Sequence, residues 1–175
     1  MMQDRLFGKP LVTQEELHKR VKELGAEITN AYADRDLLVV GVLKGAFAFV
    51  ADLARAISLP LRVDFITVAT TGNEEVKIVG DLTEEIRGKD ILLVEDIVDS
   101  GHTVQYLRKA LMARRPRSLQ VCTLLDKRER RKVEVVVDYV GFAIPNKYVV
   151  GYGLDYENRY RNLPYIAVLP TVKFE

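Results

Sequence analysis

Apolar residues recur along this chain in two rhythms, one of helical spacing and one of short unbroken runs, and the two alternate. Leu17, Val21, Leu24 and Ile28 follow at three- and four-residue intervals, which predicts one amphipathic helix over 14–32. Thr13-Gln14-Glu15-Glu16 opens it as a capping box, with Thr13 as the cap and Glu16 at the third helical position. Leu37 to Leu43 is an apolar run of strand length ended by Lys44-Gly45, and Ala46 to Ile57 resumes as a helix rich in Ala and Phe. Leu61 to Ala69 and Val76 to Val79 read as strands on either side of the polar connection Thr70-Thr71-Gly72-Asn73-Glu74-Glu75. Ile91 to Val94 is another short apolar run, followed after a small-residue turn by a helical pattern from about Thr103 to Arg115. Ser118 to Leu125 is a further buried strand, and Val133 to Val137 and Tyr139 to Ile144 are strand-like pieces before the turn at Pro145-Asn146. Unbroken runs suit parallel strands covered on both faces. The expectation is an α/β fold with a central parallel sheet of about five strands and helices on both faces.

Composition narrows the picture. A length of 175 residues suits one domain with a real core and is short for two. Basic and acidic residues number 26 and 25, so no whole-protein field favours nucleic acid. Apolar content of 48% without a low-complexity tract argues against disorder. No apolar run approaches the roughly 20 residues of a membrane helix, and the opening MMQDRLFGKP lacks an apolar signal core; a soluble, cytoplasmic protein is expected. Cys122 is the sole cysteine and sits in an apolar run, so a buried thiol without a catalytic role is expected. His18, beside Lys19 and Arg20, reads as part of a solvated helix face.

The chemistry concentrates after Val94. Glu95, Asp96 and Asp99 follow the apolar run at once, and Ser100-Gly101-His102-Thr103 leads into the helix. A strand, a tight turn and a helix N-terminus form an anion site, because the first helical N–H groups lack intrahelical acceptors and the helix dipole adds positive charge. Three carboxylates beside a phosphate pocket repel one another and the phosphate unless they hold a cation, accept from sugar hydroxyls or take a proton. A phosphorylated sugar with Mg²⁺ satisfies all three; the plainer alternative is an acidic surface loop with Ser100 as a helix cap. Lys44-Gly45, at the carboxyl edge of its own strand, suits a diphosphate or is an ordinary solvent-facing turn. The charge run 126–132 reads mostly as a solvated loop, with Lys127 set apart by its place at a strand end, where an ammonium can meet a carbonyl such as purine O6. Tyr148 has a ring face for a flat base and Val149 a backbone for its edge, the alternative being a strand aromatic in the core.

Glu95-Asp96-Ile97-Val98-Asp99-Ser100-Gly101-His102-Thr103 resembles the phosphoribosyl-diphosphate signature of type I phosphoribosyltransferases. The remaining blocks resemble the bacterial hypoxanthine-guanine branch in order over nearly the whole length, through Leu43-Lys44-Gly45, Asp126-Lys127, Val149 to Tyr156 and Tyr160 to Ile166. The resemblance implies that Glu95 and Asp96 bind the ribose hydroxyls and Mg²⁺, that Asp99 is the base facing purine N7, and that Ser100, Gly101, His102 and Thr103 hold the 5′-phosphate. It implies that Lys44, Gly45 and Arg161 bind pyrophosphate, that Lys127 meets purine O6, that Tyr148 stacks on the base and Val149 reads it, and that Asp155 holds a second Mg²⁺ or orders the purine pocket. It further implies a small hood from about 127–175 with an N-terminal contribution, a homodimer or homotetramer, and hypoxanthine, guanine and phosphoribosyl diphosphate as substrates. The chain departs from the pattern in three places. Arg128 stands where a proline is usual, Tyr148 replaces a common Phe, and the connection at Thr70 to Glu75 is shorter than the usual lid, which predicts weaker exclusion of water. Two other readings stand beside this one: a nucleotide-binding protein with weakened catalysis, suggested by the short connection, and a nucleic-acid-binding regulator of the same fold, against which the kept base-reading block and the balanced charge speak.

Overall fold

The computed structural model describes residues 7–71 and 75–170. Helix α1 (Gln14–Ala31) begins as its cap chemistry dictates: Thr13 Oγ1 accepts from the Glu16 N–H at 3.2 Å, and the Glu16 carboxylate accepts from the Thr13 N–H at 2.8 Å. Strand β1 (Leu37–Leu43), helix α2 (Phe47–Ala56), and strands β2 (Leu61–Thr70), β3 (Val76–Gly80) and β4 (Asp90–Val98) follow. Helix α3 (His102–Met112), strand β5 (Ser118–Asp126), a 3-10 turn at Arg128–Arg130, and strands β6 (Tyr139–Ala143), β7 (Val149–Val150) and β8 (Ala167–Val168) complete the chain.

Six strands form the main sheet in the order β3-β2-β1-β4-β5-β6, parallel except where β3 runs back along β2. The sheet is one strand wider than expected, because the polar connection after Thr70 is a hairpin that adds an antiparallel edge. The Thr71 N–H donates to the Glu75 carbonyl at 3.0 Å and closes that hairpin; Gly72, Asn73 and Glu74, the middle of the expected lid, lie outside the described residues.

The unbroken apolar runs have a direct cause. Leu37 and Val39 join the core beneath α1 and α2, while Leu38 and Val40 join the core beneath α3 with Val104, Leu107 and Leu111. Alternate residues on one strand thus enter opposite cores, and both sets must be apolar. Cys122 is fully buried beneath α1 and α2, and burial raises its thiol pKa well above the ordinary range. Two strand expectations are corrected. Val133 to Val137 is not a strand; Val135 and Val137 pack against the α3-side core while Val136 stays exposed, and pairing resumes only at Tyr139. Strand β4 runs four residues past Val94, because its ladder to β5 continues through Glu95↔Thr123, Ile97↔Leu125 and Val98↔Asp126.

The chain passes from β1 outward to β2 on one side, and from β4 outward to β5 on the other. That reversal opens a crevice at the carboxyl ends of β1 and β4, the place where open α/β sheets bind ligands. A second pair, β7 with β8, lies over this end, and Val12 bridges to Ile166 so that the N-terminal segment joins it. No helix among the described residues is long and apolar enough to cross a membrane.

Candidate active site

The longer β4 changes where the acids sit. Glu95 is a ladder residue, only 4% exposed, and its Oε1 has no hydrogen-bond partner. Burial first, and the neighbouring Asp96 charge second, push its carboxyl well above the usual carboxylate range. Asp96 is half-buried and its carboxyl is pushed up to about 6, again chiefly by burial, although it accepts the Ile97 N–H at 2.8 Å and lies near Arg161. A buried acid beside a half-buried one at the mouth of a cleft is costly unless a cation or hydrogen-bond donors meet them.

Turn geometry surrounds this pair. Gly101 is the N-cap of α3 with φ +93°, a left-handed conformation that favours glycine, and no side chain caps the helix. Ser100 is therefore not the cap, and the first-turn N–H groups of α3 lack a capping side-chain acceptor. On the other side of the crevice the Leu43–Lys44 peptide is cis, and a Cβ at Gly45 would overlap the Asp96 carboxylate. Only glycine lets the β1–α2 turn lie against the acid.

Two adjoining chambers result. The first, about 370 Å³, is lined by Lys44, Gly45, Glu95, Asp96, Ser100, Gly101, Thr103 and Arg161, among others. The second, about 220 Å³, is lined by Lys127, Tyr148, Val149 and Leu154, and both chambers share Asp96, Ile97, Asp99 and Asp155. Every predicted site residue except His102 lines a chamber; His102 opens α3 outside both walls.

Asp99 lies where β4 has ended. Lys127 Nζ is 3.6 Å from its Oδ2, and Arg130 Nε is 2.9 Å from its Oδ1. The Arg130 approach is a charge contact rather than an aligned hydrogen bond, since Oδ1 accepts none. Lys127 is buried, and its N–H is fixed by the Val98 carbonyl at 3.0 Å, so the ends of β4 and β5 are tied together. Arg131 reinforces this tie by pairing with buried Asp126 and reaching the Asp99 carbonyl at 3.4 Å. Tyr148 is 60% exposed rather than a core aromatic, and meets the Tyr156 ring edge-on at 6.0 Å. Arg161 pairs with Asp155 at 2.8 Å and donates to the Gly153 carbonyl at 2.7 Å.

Sequence reasoning missed Arg130 and Arg131, because within a run of charges no local signal separates a residue that turns inward from its solvated neighbours. It also grouped Glu95, Asp96 and Asp155 as metal ligands. All three line the first chamber, but among the described residues no group of three or more such side chains forms a metal cage. Glu95 and Asp96 by themselves fit Mg²⁺, which typically takes one or two carboxylates and completes its shell with water and substrate phosphates; the orphaned, buried Glu95 Oε1 is the observation that favours such a partner.

A parallel sheet with its anion turn and acid pair at the switch point defines a type I phosphoribosyltransferase architecture. The chain belongs to the phosphoribosyl transferase domain family, whose model it matches over residues 11–157, in its hypoxanthine-guanine branch. It is 49% identical over 172 residues to the hypoxanthine-guanine phosphoribosyltransferase of Bacillus subtilis, covering 95% of this chain and 96% of that one. It is 49% identical over 164 residues to the hypoxanthine phosphoribosyltransferase of Escherichia coli, covering 90% and 92%. The crystal structure of a hypoxanthine phosphoribosyltransferase from Staphylococcus aureus superposes with a TM-score of 0.93 at 42% identity, covering 97% of this chain and 95% of that one.

Proposed function

We propose that this protein serves purine salvage, transferring the 5-phosphoribosyl group of phosphoribosyl diphosphate to N9 of hypoxanthine or guanine and releasing pyrophosphate. The carrying observation is that the anion turn and the Lys127–Tyr148 wall belong to adjoining chambers that share Asp96, Asp99 and Asp155. The α3 turn from Ser100 to Thr103 holds the 5′-phosphate through its N–H groups. Lys44, Gly45 and Arg161 hold the diphosphate, and Glu95 and Asp96 meet the ribose hydroxyls. Bound Mg²⁺ supplies charge neutralisation to the leaving diphosphate. As the bond from C1′ to the diphosphate oxygen breaks and the N9–C1′ bond forms, the N7 proton passes to the Asp99 carboxylate. Lys127 donates to O6, Tyr148 stacks on the base, and the Val149 backbone reads its edge.

The hood of a single domain is drawn mainly from residues after about 127, apart from β6, which belongs to the main sheet; an N-terminal contribution is supported by the N–H groups of Leu11 and Val12, which donate to the Ile166 carbonyl at 2.8 and 3.2 Å. The working assembly is a homodimer or homotetramer in the cytoplasm, which sedimentation of the purified protein tests. The decisive experiment on the activity is a panel of free bases with phosphoribosyl diphosphate and Mg²⁺. Turnover with 6-oxopurines and none with adenine is expected. Tight nucleotide binding without turnover replaces the transferase by a binding protein, and salt-dependent RNA binding replaces it by a regulator.

A further inference from the structure

Tyr152 lies outside both chambers, in the middle of three consecutive left-handed residues: Gly151, Tyr152 and Gly153 have φ of +102°, +49° and +104°. A non-glycine residue in that conformation persists only where its surroundings hold it. The Tyr152 N–H donates to the Leu163 carbonyl at 2.8 Å, and the Gly153 N–H donates to the Arg161 carbonyl at 2.9 Å. The phenol is buried and donates to the Asp52 carboxylate, 100 residues away on α2. Asp52 also pairs with Arg55, one turn on. Burial first, and then the Asp52 contact, raise the Tyr152 phenol pKa, so it remains a donor.

The two segments joined by this bond each carry part of the first chamber. Helix α2 continues directly from the Lys44-Gly45 turn, with the Phe47 N–H donating to the Lys44 carbonyl at 3.2 Å. The segment after Tyr152 carries Asp155 and Arg161, and a Cβ at Gly153 would overlap the Gly45 carbonyl. The backbones of the turn and of the C-terminal arm thus touch, and the Arg161 guanidinium is anchored on Gly153 itself. A displacement of Gly153 moves Arg161 relative to Lys44.

We propose that Tyr152 and Asp52 are a positioning pair that sets the separation between the Lys44-Gly45 turn and the Asp155–Arg161 arm, and thereby governs affinity for the diphosphate group. The inference rests on the proposed function for its substrate. Its test compares Tyr152→Phe, Asp52→Leu and Asp52→Asn with the parent, in steady-state kinetics for both substrates and in calorimetric titration of inorganic pyrophosphate with Mg²⁺. Tyr152→Phe and Asp52→Leu should raise the KM for phosphoribosyl diphosphate and the pyrophosphate Kd about tenfold, the scale of one hydrogen bond to a charged acceptor. The purine KM should stay within about twofold. Asp52→Asn keeps an acceptor oxygen without its charge and should raise both constants by less than Asp52→Leu does, an order that loss of packing alone does not predict. Unchanged diphosphate affinity in Tyr152→Phe overturns the pair, as does an equal rise in both KM values. Tyr152→Phe deletes one oxygen and keeps the test open where Asp52→Leu does not fold. A parent that turns over no purine defeats the proposed function alone, and the pyrophosphate titration still decides the pair.

Discussion

Asp99 differs from Glu95 and Asp96 although all three are acids within one short stretch. Glu95 and Asp96 belong to the strand, with the Asp96 carboxylate against Gly45, whereas Asp99 stands beyond it between Lys127 and Arg130. Asp99→Asn keeps the shape and removes the proton acceptor, so kcat should fall by roughly 10²–10⁴, the usual range for a general acid–base group. The KM for phosphoribosyl diphosphate should barely move; a normal kcat with lost Mg²⁺-dependent affinity makes Asp99 a metal-site residue instead. Lys127→Ala should cost about 1.5–3 kcal/mol in kcat/KM for the purine, the scale of a charged hydrogen bond, and leave the other substrate's KM nearly intact. Equal losses for both substrates remove Lys127 from the base pocket. At this scale most of the candidate site was legible, because the signature from Glu95 to Thr103 is contiguous and each residue type has a chemical reason to be there. Arg130 was not legible. Its role depends on a 3-10 turn that aims one arginine of a charged run at Asp99, and no spacing rule anticipates that.

Strand ends are where reading the elements was least secure, and β4 shows why. Its apolar run stops at Val94, but hydrogen bonds to β5 extend the strand to Val98; a ladder is a property of two segments, and one sequence window does not reveal it. The same partner dependence explains Val133 to Val137, which has strand composition without a paired neighbour. The opposite end of β4 carries a prediction. Asp90 is fully buried and accepts from Ser118 Oγ at 2.6 Å and from Arg117 Nε at 2.9 Å, with Arg35 at 3.7 Å. The Arg117 hydrogen bond, opposed by burial, holds the Asp90 carboxyl below the usual carboxylate range. A depressed native pKa adds stability above the unfolded value of about 3.9, and that stability is lost as pH falls through the native value. Asp90→Ala should therefore lower stability at pH 7 by about 1–3 kcal/mol, and the gap from the parent should narrow below about pH 4. Thermal unfolding of both proteins across that range is the measurement, and a gap that stays constant down to acid pH contradicts the assignment.

The whole molecule was legible as far as class, since helical spacing alternating with unbroken apolar runs leaves little besides a sheet covered on both faces. The antiparallel edge and the strand order were not, because order is set by which strands meet and not by the pattern within any one of them. That order has a consequence during synthesis. Strand β1 pairs with β2 on one side and β4 on the other, and β4 begins only at Asp90. A nascent chain on the ribosome can therefore complete α1, β1, α2, β2 and β3 while β1 still shows one bare edge of Leu37, Leu38, Val39, Val40 and Gly41, the residues that later take β4 as their partner. Unpaired apolar edges join between chains at micromolar concentrations and above. Refolding from denaturant should accordingly lose yield as protein concentration rises, and a chaperonin added during refolding should restore it. Yield independent of concentration would mean that β4 docks on β1 before neighbouring chains can meet.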